Sequence, residues 1–209
     1  MKKSFLKTRA AIAIGLILIV MISGACSRDT GRGNRPFQIV FSASQINQNA
    51  VTNFGASLLN SMPELTVEGR APLFTPMAMG TASPGADPMM AMGMTMRLTA
   101  QISGGEIDII ISSLENAASM AQGGSFMPLA EVLTEQEISS LGDRLISFDI
   151  IQVEGMDAVP TGERTPEVGV NITGKEEIRS IFGSQEIAVF IIANTGNIEL
   201  SKAVLRSFI

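Results

Sequence analysis

Two pairs of serines follow strongly apolar stretches, where a buried strand would give way to a helix. Ser42 and Ser44 follow FQIVF, residues 37–41, and Ser112 and Ser113 follow IDIII, residues 107–111. A helix N-terminus offers free N–H groups and the positive end of the helix dipole, which suit an anion or a polar small molecule. The spacing Ser112-x-x-Glu115 is also typical of a capping box. Capping alone and ligand contact therefore both stay open for these serines.

A methionine-rich stretch, residues 75–96, contains seven of the chain's 13 methionines. Thioether sulfurs are soft ligands that suit Cu(I), whereas methionine in general is a flexible filler of protein cores. Within the helix predicted over residues 87–103, Met90 and Met94 share a stripe with Leu98 and Ile102, and we expect that stripe to face the core. Binding of Cu(I) through residues 77–96 is one alternative function, and no individual residue is assigned as a metal ligand.

The composition excludes several kinds of catalytic machinery. The chain has no His, Trp or Tyr and a single cysteine. Triads built on histidine and zinc sites built on histidine are therefore excluded. The glycine-rich nucleotide-binding patterns and the acidic calcium loop are also missing from the sequence. We predict that the protein is not an enzyme and that it needs no cofactor.

The N-terminus has the pattern of an export signal. Four basic residues within positions 2–9 precede the wholly apolar run AAIAIGLILIVMI, residues 10–22, which is too short to cross a bilayer comfortably. The following stretch, ISGACS, resembles a bacterial lipobox. It implies a lipoprotein signal peptide over residues 1–25 and acylation of Cys26, for example with palmitate. Residues 26–36 are polar and glycine-containing, as in a flexible tether. We expect a lipid anchor on the extracytoplasmic face of the cell membrane.

The charge balance restricts the partners of the mature protein. The full chain carries a net charge of −5, and removal of the four N-terminal basic residues would take it to −9. Nucleic-acid binding requires a basic face that neutralises phosphates. We therefore predict no nucleic-acid partner, and contact with the membrane only through the lipidated N-terminus.

Strand-like and helix-like segments alternate over residues 37–209, which predicts an α/β domain. We expect a three-layer sandwich with a mostly parallel central sheet. Continuous apolar runs predict strands, and apolar residues three or four apart predict helices. The predicted strands are 37–41, 65–67, 107–111, 146–153, 168–172 and 186–193, and the predicted helices are 45–61, 87–103, 113–122, one from 134 to about 142, 173–183 and 197–208.

Three segments carry a family resemblance. A helix followed by ISGGEIDIIIS, residues 102–112, looks like part of the first lobe of a bacterial extracellular solute-binding protein, the lipid-anchored receptor of an ABC importer. The stretch FMPLAEVL, residues 126–133, resembles the segment that follows there. The ending EIAVFIIANTGNIELSKAVLRSFI, residues 186–209, is similar to the family's returning strand and helix.

The resemblance implies a type 2 periplasmic-binding-protein-like fold that holds its ligand at strand ends. Receptors of this family have two lobes, but residues 151–185 between the matching segments are too few for a full second lobe. We therefore expect a single lobe, with residues 151–185 as a small insertion or a vestigial second lobe. The resemblance also implies that a small polar or anionic solute is bound for transport and that an ABC transporter permease is the partner. A ligand-free structural or interaction lipoprotein on the same scaffold is the other function class. The residues that would line the ligand cleft are Ser42, Ser44, Ser112, Ser113, Met77 and Met79.

Overall fold

The chain forms one main sheet and one separate hairpin in the computed structural model, which describes residues 35–79, 88–154 and 157–209. The main sheet has six strands in the order β2-β1-β3-β8-β7-β4, and β5 and β6 form the hairpin. The strands are β1 (Gln38–Ala43), β2 (Leu73–Ala78), β3 (Ile109–Ser113), β4 (Leu145–Ile146), β5 (Asp149–Glu154), β6 (Asp157–Arg164), β7 (Gly169–Asn171) and β8 (Ile187–Ile191).

Helices cover both faces of the main sheet. Successive residues of a strand point to opposite faces: Ile39 and Phe41 belong to one buried cluster and Val40 to another. The first cluster packs against α1, α4, α5 and α6, and the second against α2 and α3. The protein is therefore an α/β sandwich, as predicted. The helices are α1 (Gln48–Ser61), α2 (Pro88–Ser103), α3 (Leu114–Gln122), α4 (Glu135–Leu141), α5 (Glu176–Phe182) and α6 (Ile198–Arg206).

The main sheet is mixed, so the prediction of a mostly parallel sheet was wrong. Strand β1 pairs in parallel with β2 and β3, whereas the β3–β8, β8–β7 and β7–β4 pairs are antiparallel. The apolar run of β8 is buried on both faces between two neighbours. A strand covered on both faces is continuously apolar whichever way it runs, so its composition does not indicate its direction.

The second strand lies eight residues later than predicted. Residues Pro63–Leu65 form a turn of 3₁₀ helix, and Val67 makes only an isolated bridge with Arg70. The strand is β2, in a proline-containing segment for which neither a strand nor a helix was predicted. Because β2 is at the edge of the sheet, Pro76 is tolerated there without breaking the sheet.

The hairpin includes most of the predicted strand 146–153 and a following segment for which no strand was predicted. The predicted strand 146–153 is divided between β4 in the main sheet and β5 in the hairpin, and β6 occupies the following segment. The side chain of Gln122, at the end of α3, binds the backbone of β5 at Asp149 and Ile151. Of the segment 151–185, only the part up to Arg164 lies in the hairpin, since β7 and α5 belong to the main body.

Helix α2 follows its predicted bounds but not its predicted packing. Leu98 and Ile102 are buried, as expected from the apolar stripe. Met90, which we expected to face the core, is 71% exposed, and Met94 is only half-buried. The core stripe of α2 is therefore restricted to its second half, where the helix packs on the sheet.

A buried carboxylate, Asp108, lies just before β3 and connects the start of the described chain to the segment that precedes α6. Arg35 donates to both of its oxygens, at 2.6 and 2.9 Å, and the N–H of Gln38 donates at 2.9 Å. The hydroxyl of Thr195 donates at 2.5 Å and the amide of Asn197 at 3.2 Å. Five donors thus satisfy this carboxylate, and it links the start of β1 to the segment that leads into α6.

Helix α4 begins with a capping box at the spacing Thr134-x-x-Glu137. The hydroxyl of Thr134 accepts the N–H of Glu137, and the Glu137 carboxylate accepts the N–H of Thr134 at 2.7 Å. The side chain of Arg206 also donates to Glu137, at 2.7 Å. The hydrogen bond from Arg206, followed by that from the Thr134 backbone, lowers the pKa of Glu137 to about 2. The carboxylate therefore stays ionised over the neutral range and joins α4 to α6.

Candidate functional site

Three of the predicted site residues lie side by side where β1, β2 and β3 end. Ser42 on β1 is paired in register with Met77 on β2 and with Ser112 on β3. The carboxyl ends of these parallel strands share one edge of the sheet, which is where open α/β sheets bind ligands. The sheet therefore brings the Ser42, Ser112 and Met77 positions together.

These three side chains are buried, and their contacts are with other groups of the protein. Ser42 and Ser112 are fully buried, and Met77 belongs to the core on the α2–α3 face. The Ser112 hydroxyl donates to the carbonyl of Ser113 at 3.0 Å. A ligand bound at the protein surface would therefore not contact these three side chains directly.

Helix α3 is capped by Ser113, not by Ser112 as the spacing to Glu115 had indicated. The hydroxyl of Ser113 accepts the N–H of Asn116 at 3.4 Å. The N–H of Leu114, the first residue of the helix, donates to the carbonyl of Glu186 at 3.1 Å. Two of the N–H groups that an anion would use at this helix end are thus already bound to the protein.

Ser44 lies on the other side of this edge. Its hydroxyl donates to the side chain of Gln185 at 2.8 Å, and the Gln185 amide donates to the carbonyls of Gln45 and Phe182. Gln185 therefore fixes the turn after β1 to the end of α5. Ser42 instead connects to the α2–α3 face, so the four predicted serines do not form one cluster.

Asn116, which the sequence did not single out, connects the strand ends to solvent. Its side-chain amide donates to the Ser42 hydroxyl and to the Met79 carbonyl, each at 3.2 Å. The Ser42 hydroxyl in turn donates to the Met79 sulfur at 3.4 Å. Asn116 and Met79 are half-buried. The position of Asn116, three residues after the capping Ser113, was the available signal, because the first turn of a helix faces the strand ends.

Asn116 and Met79 lie in a groove of about 280 Å³ between α2 and α3, which we call the α2–α3 groove. Its walls combine hydroxyl groups with the apolar side chains of Leu98, Ile102 and Met120, and none of its described lining residues is charged. The volume is close to the lower limit for small-molecule sites. The polar side chains that line it are Thr95, Thr99, Ser103, Asn116, Ser119 and Ser125.

A second groove, of about 460 Å³, lies on the opposite face between α1 and α5, and we call it the α1–α5 groove. Its lining includes Asn47, Asn53, Phe54, Glu177 and Ser180. It is larger, but none of the six predicted site residues lines it, whereas Met79 lines the α2–α3 groove and Asn116 connects that groove to Ser42. The α2–α3 groove is therefore the site that the predicted residues define best.

Within the described ranges, no three or more His, Cys, Asp or Glu side chains are grouped as a metal site would require. Over the same ranges, none of the helices combines the length and apolar character needed to span a bilayer. The predicted signal peptide, Cys26 and most of the tether lie outside the residues that the structure describes.

The described residues form an α/β sandwich with a mixed sheet and an uncharged groove, lined by polar and apolar side chains, near the ends of its parallel strands. Comparisons with known protein families, characterised proteins and solved structures return no match to this chain.

Proposed function

We propose that this chain is an extracytoplasmic, lipid-anchored protein that binds a small polar solute in the α2–α3 groove, as the receptor of an ABC-type importer. The observation that carries the proposal is the Ser42–Asn116–Met79 network, which links the ends of the parallel strands to that groove. The uncharged lining, which combines hydroxyl and amide groups with apolar side chains, favours a neutral solute with both polar and apolar parts over an anion. The position of β8, which returns from the C-terminal part of the chain to pair with β3, supports the resemblance to a receptor lobe.

A ligand-free structural or interaction lipoprotein is the second candidate. Its support is the internal satisfaction of the strand-end hydroxyls, because Ser42, Ser112 and Ser113 all have hydrogen-bond partners within the protein. On this hypothesis the network holds α3 on the sheet and binds nothing. The two candidates differ in whether a solute raises the unfolding temperature.

The lipid anchor predicts a defined N-terminus. We expect mass spectrometry of the protein from its own cells to show a chain that begins at an acylated Cys26, because the small residues before Cys26 match a lipobox. The Cys26→Ser variant should lose the lipid mass and leave the membrane fraction, whereas Ser27→Ala should keep both. An unmodified Cys26 thiol in the native product would reject the anchor.

If a solute binds in the α2–α3 groove, the same substitution at two matched serines should affect its thermal shift differently. Ser119 in the α2–α3 groove and Ser180 in the α1–α5 groove are both exposed, and each donates to the carbonyl three residues earlier. A bound solute at 100 times its dissociation constant raises the free energy of unfolding by about 2.7 kcal/mol. We expect Ser119→Leu, which fills the groove, to abolish the thermal shift of the full-length chain given by a neutral polar solute, and Ser180→Leu to keep it.

The screen uses neutral polyols, amides and zwitterionic amino acids alongside small anions, each on the full-length chain in detergent. Loss of the shift in Ser180→Leu with its retention in Ser119→Leu would place the solute in the α1–α5 groove and contradict the proposal. Absence of any shift across the screen would favour the ligand-free lipoprotein.

A further inference from the structure

Helix α2 carries an exposed row of methionines. Met89, Met92 and Met96 are 83%, 59% and 58% exposed. Residues three or four apart lie on the same side of a helix, so these three side chains share one face, which we call the thioether face. The face borders the α2–α3 groove, because Thr95 and Thr99 of the same helix line that groove.

Packing on the sheet does not account for the methionines at positions 92 and 96 of this face. Leu98 and Ile102 supply the buried contacts of α2, and they lie on another side of the helix. Five of the chain's 13 methionines fall within this one helix. Leucine or lysine would support an exposed helix as well as methionine does. The property that methionine alone adds among these residue types is a soft, uncharged sulfur donor.

We propose that the thioether face binds one Cu(I) ion through the sulfurs of Met92 and Met96, with Met89 as the third ligand. Thioethers are soft ligands that select Cu(I) over hard cations. The Cβ atoms of residues three or four apart are about 5–6 Å from each other, and the three rotatable bonds of methionine allow the sulfurs to converge on one ion. Neutral ligands leave the ion with its single positive charge, which is compatible with an acidic protein.

The site does not require a bound solute, since Met89, Met92 and Met96 do not line the groove. It takes Cu(I) as supplied and involves no redox step. It therefore stands or fails separately from the receptor proposal.

The test is a Cu(I) titration of the full-length chain without oxygen, in competition with a chromophoric Cu(I) chelator. The chain carries Cys26→Ser, so that a free thiol cannot bind the ion. We expect one Cu(I) per chain with a micromolar or tighter dissociation constant, and X-ray absorption with sulfur as the only ligand type. No binding at micromolar Cu(I), or a coordination shell of nitrogen and oxygen, would overturn the proposal.

Leucine substitutions decide which methionines are ligands. Leucine has nearly the size and helix propensity of methionine but no sulfur. The double variant Met92→Leu, Met96→Leu should lose at least tenfold in Cu(I) affinity with an unchanged unfolding temperature in the absence of metal. Met90→Leu, on the same helix and also exposed, is the matched control and should bind as before. The thioether face would be rejected as the site if the parent chain, the double variant and Met90→Leu bound Cu(I) with equal affinity. It would also be rejected if Met90→Leu lost as much Cu(I) affinity as the double variant.

Discussion

Asp108→Asn is expected to lower the free energy of unfolding by about 3–5 kcal/mol, the cost of breaking a buried ion pair by removing one partner. The Asp108 side chain is fully buried, and its oxygens accept from five donors that include both terminal nitrogens of Arg35. The Asn side chain would turn an NH₂ group toward donors on one side. Because natural domains are stable by only about 5–15 kcal/mol, this loss is a large part of the total.

Urea unfolding of the full-length chain measures the effect. Asp149→Asn is the matched control, since Asp149 pairs with Arg164 at 3.3 Å with both side chains exposed. An exposed pair contributes about 0–1 kcal/mol, so the control should change little. Should Asp108→Asn not fold, Thr195→Val removes a single hydrogen bond to the carboxylate at a cost of about 1.5–3 kcal/mol. Equal effects at Asp108 and Asp149 would show that burial adds nothing to the Asp108 interactions.

Gly169→Ala is expected to lower the free energy of unfolding by about 1–3 kcal/mol, the usual cost of overpacking a core. A Cβ atom at Gly169 on β7 would lie 2.6 Å from Cδ1 of Phe190 on the neighbouring β8. Phe190 is fully buried, and its ring is stacked on Phe126 with the ring centroids 4.4 Å apart. The ring cannot move aside without disturbing that stack.

Gly55→Ala provides the comparison, because its added Cβ would lie 2.6 Å from Cδ2 of Phe74. Phe74 is only half-buried at the edge strand, so its ring can shift toward solvent. Alanine also stabilises a helix by about 0.5–1 kcal/mol relative to glycine. We expect a change near zero by thermal unfolding. The Phe190→Leu background should reduce the cost of Gly169→Ala, and an unreduced cost would refute the steric explanation.

Apolar pattern predicted most of the secondary structure. β1, β3 and β8 are continuous apolar runs, and α1 and α6 have apolar residues at helical spacing. Strand β2 escaped prediction because a proline-containing edge strand has the composition of a loop. The split of residues 146–153 into β4 and β5 escaped it because one apolar run supplied strands to two different sheets.

The strand ends that carry the candidate residues were predicted from the sequence, whereas the packing around them was not. The sequence placed Ser42 and Ser112 at the ends of two strands, and the register of the sheet pairs them side by side. Their burial, and the role of Asn116 between them and the groove, depended on where α3 packs. The apolar stripe was misleading at Met90, because a helical stripe shows which residues share a side and not how far along the helix the core extends. The Ser112-x-x-Glu115 spacing was misleading because Ser113, one residue later, caps the helix.

The sequence by itself determined the alternation of buried strands and amphipathic helices, the absence of histidine chemistry and the pattern of an export signal, because these follow from residue types and local spacing. The tertiary structure alone decided the directions of the strands, the partners of Asp108 and the α2–α3 groove. The physical reason is that these features depend on groups distant in the chain: Asn116 and Ser42 are 74 residues apart, and Thr195 and Asp108 are 87 apart. Such contacts form only when several elements pack together, and the local sequence of one element does not indicate which distant residue it will contact.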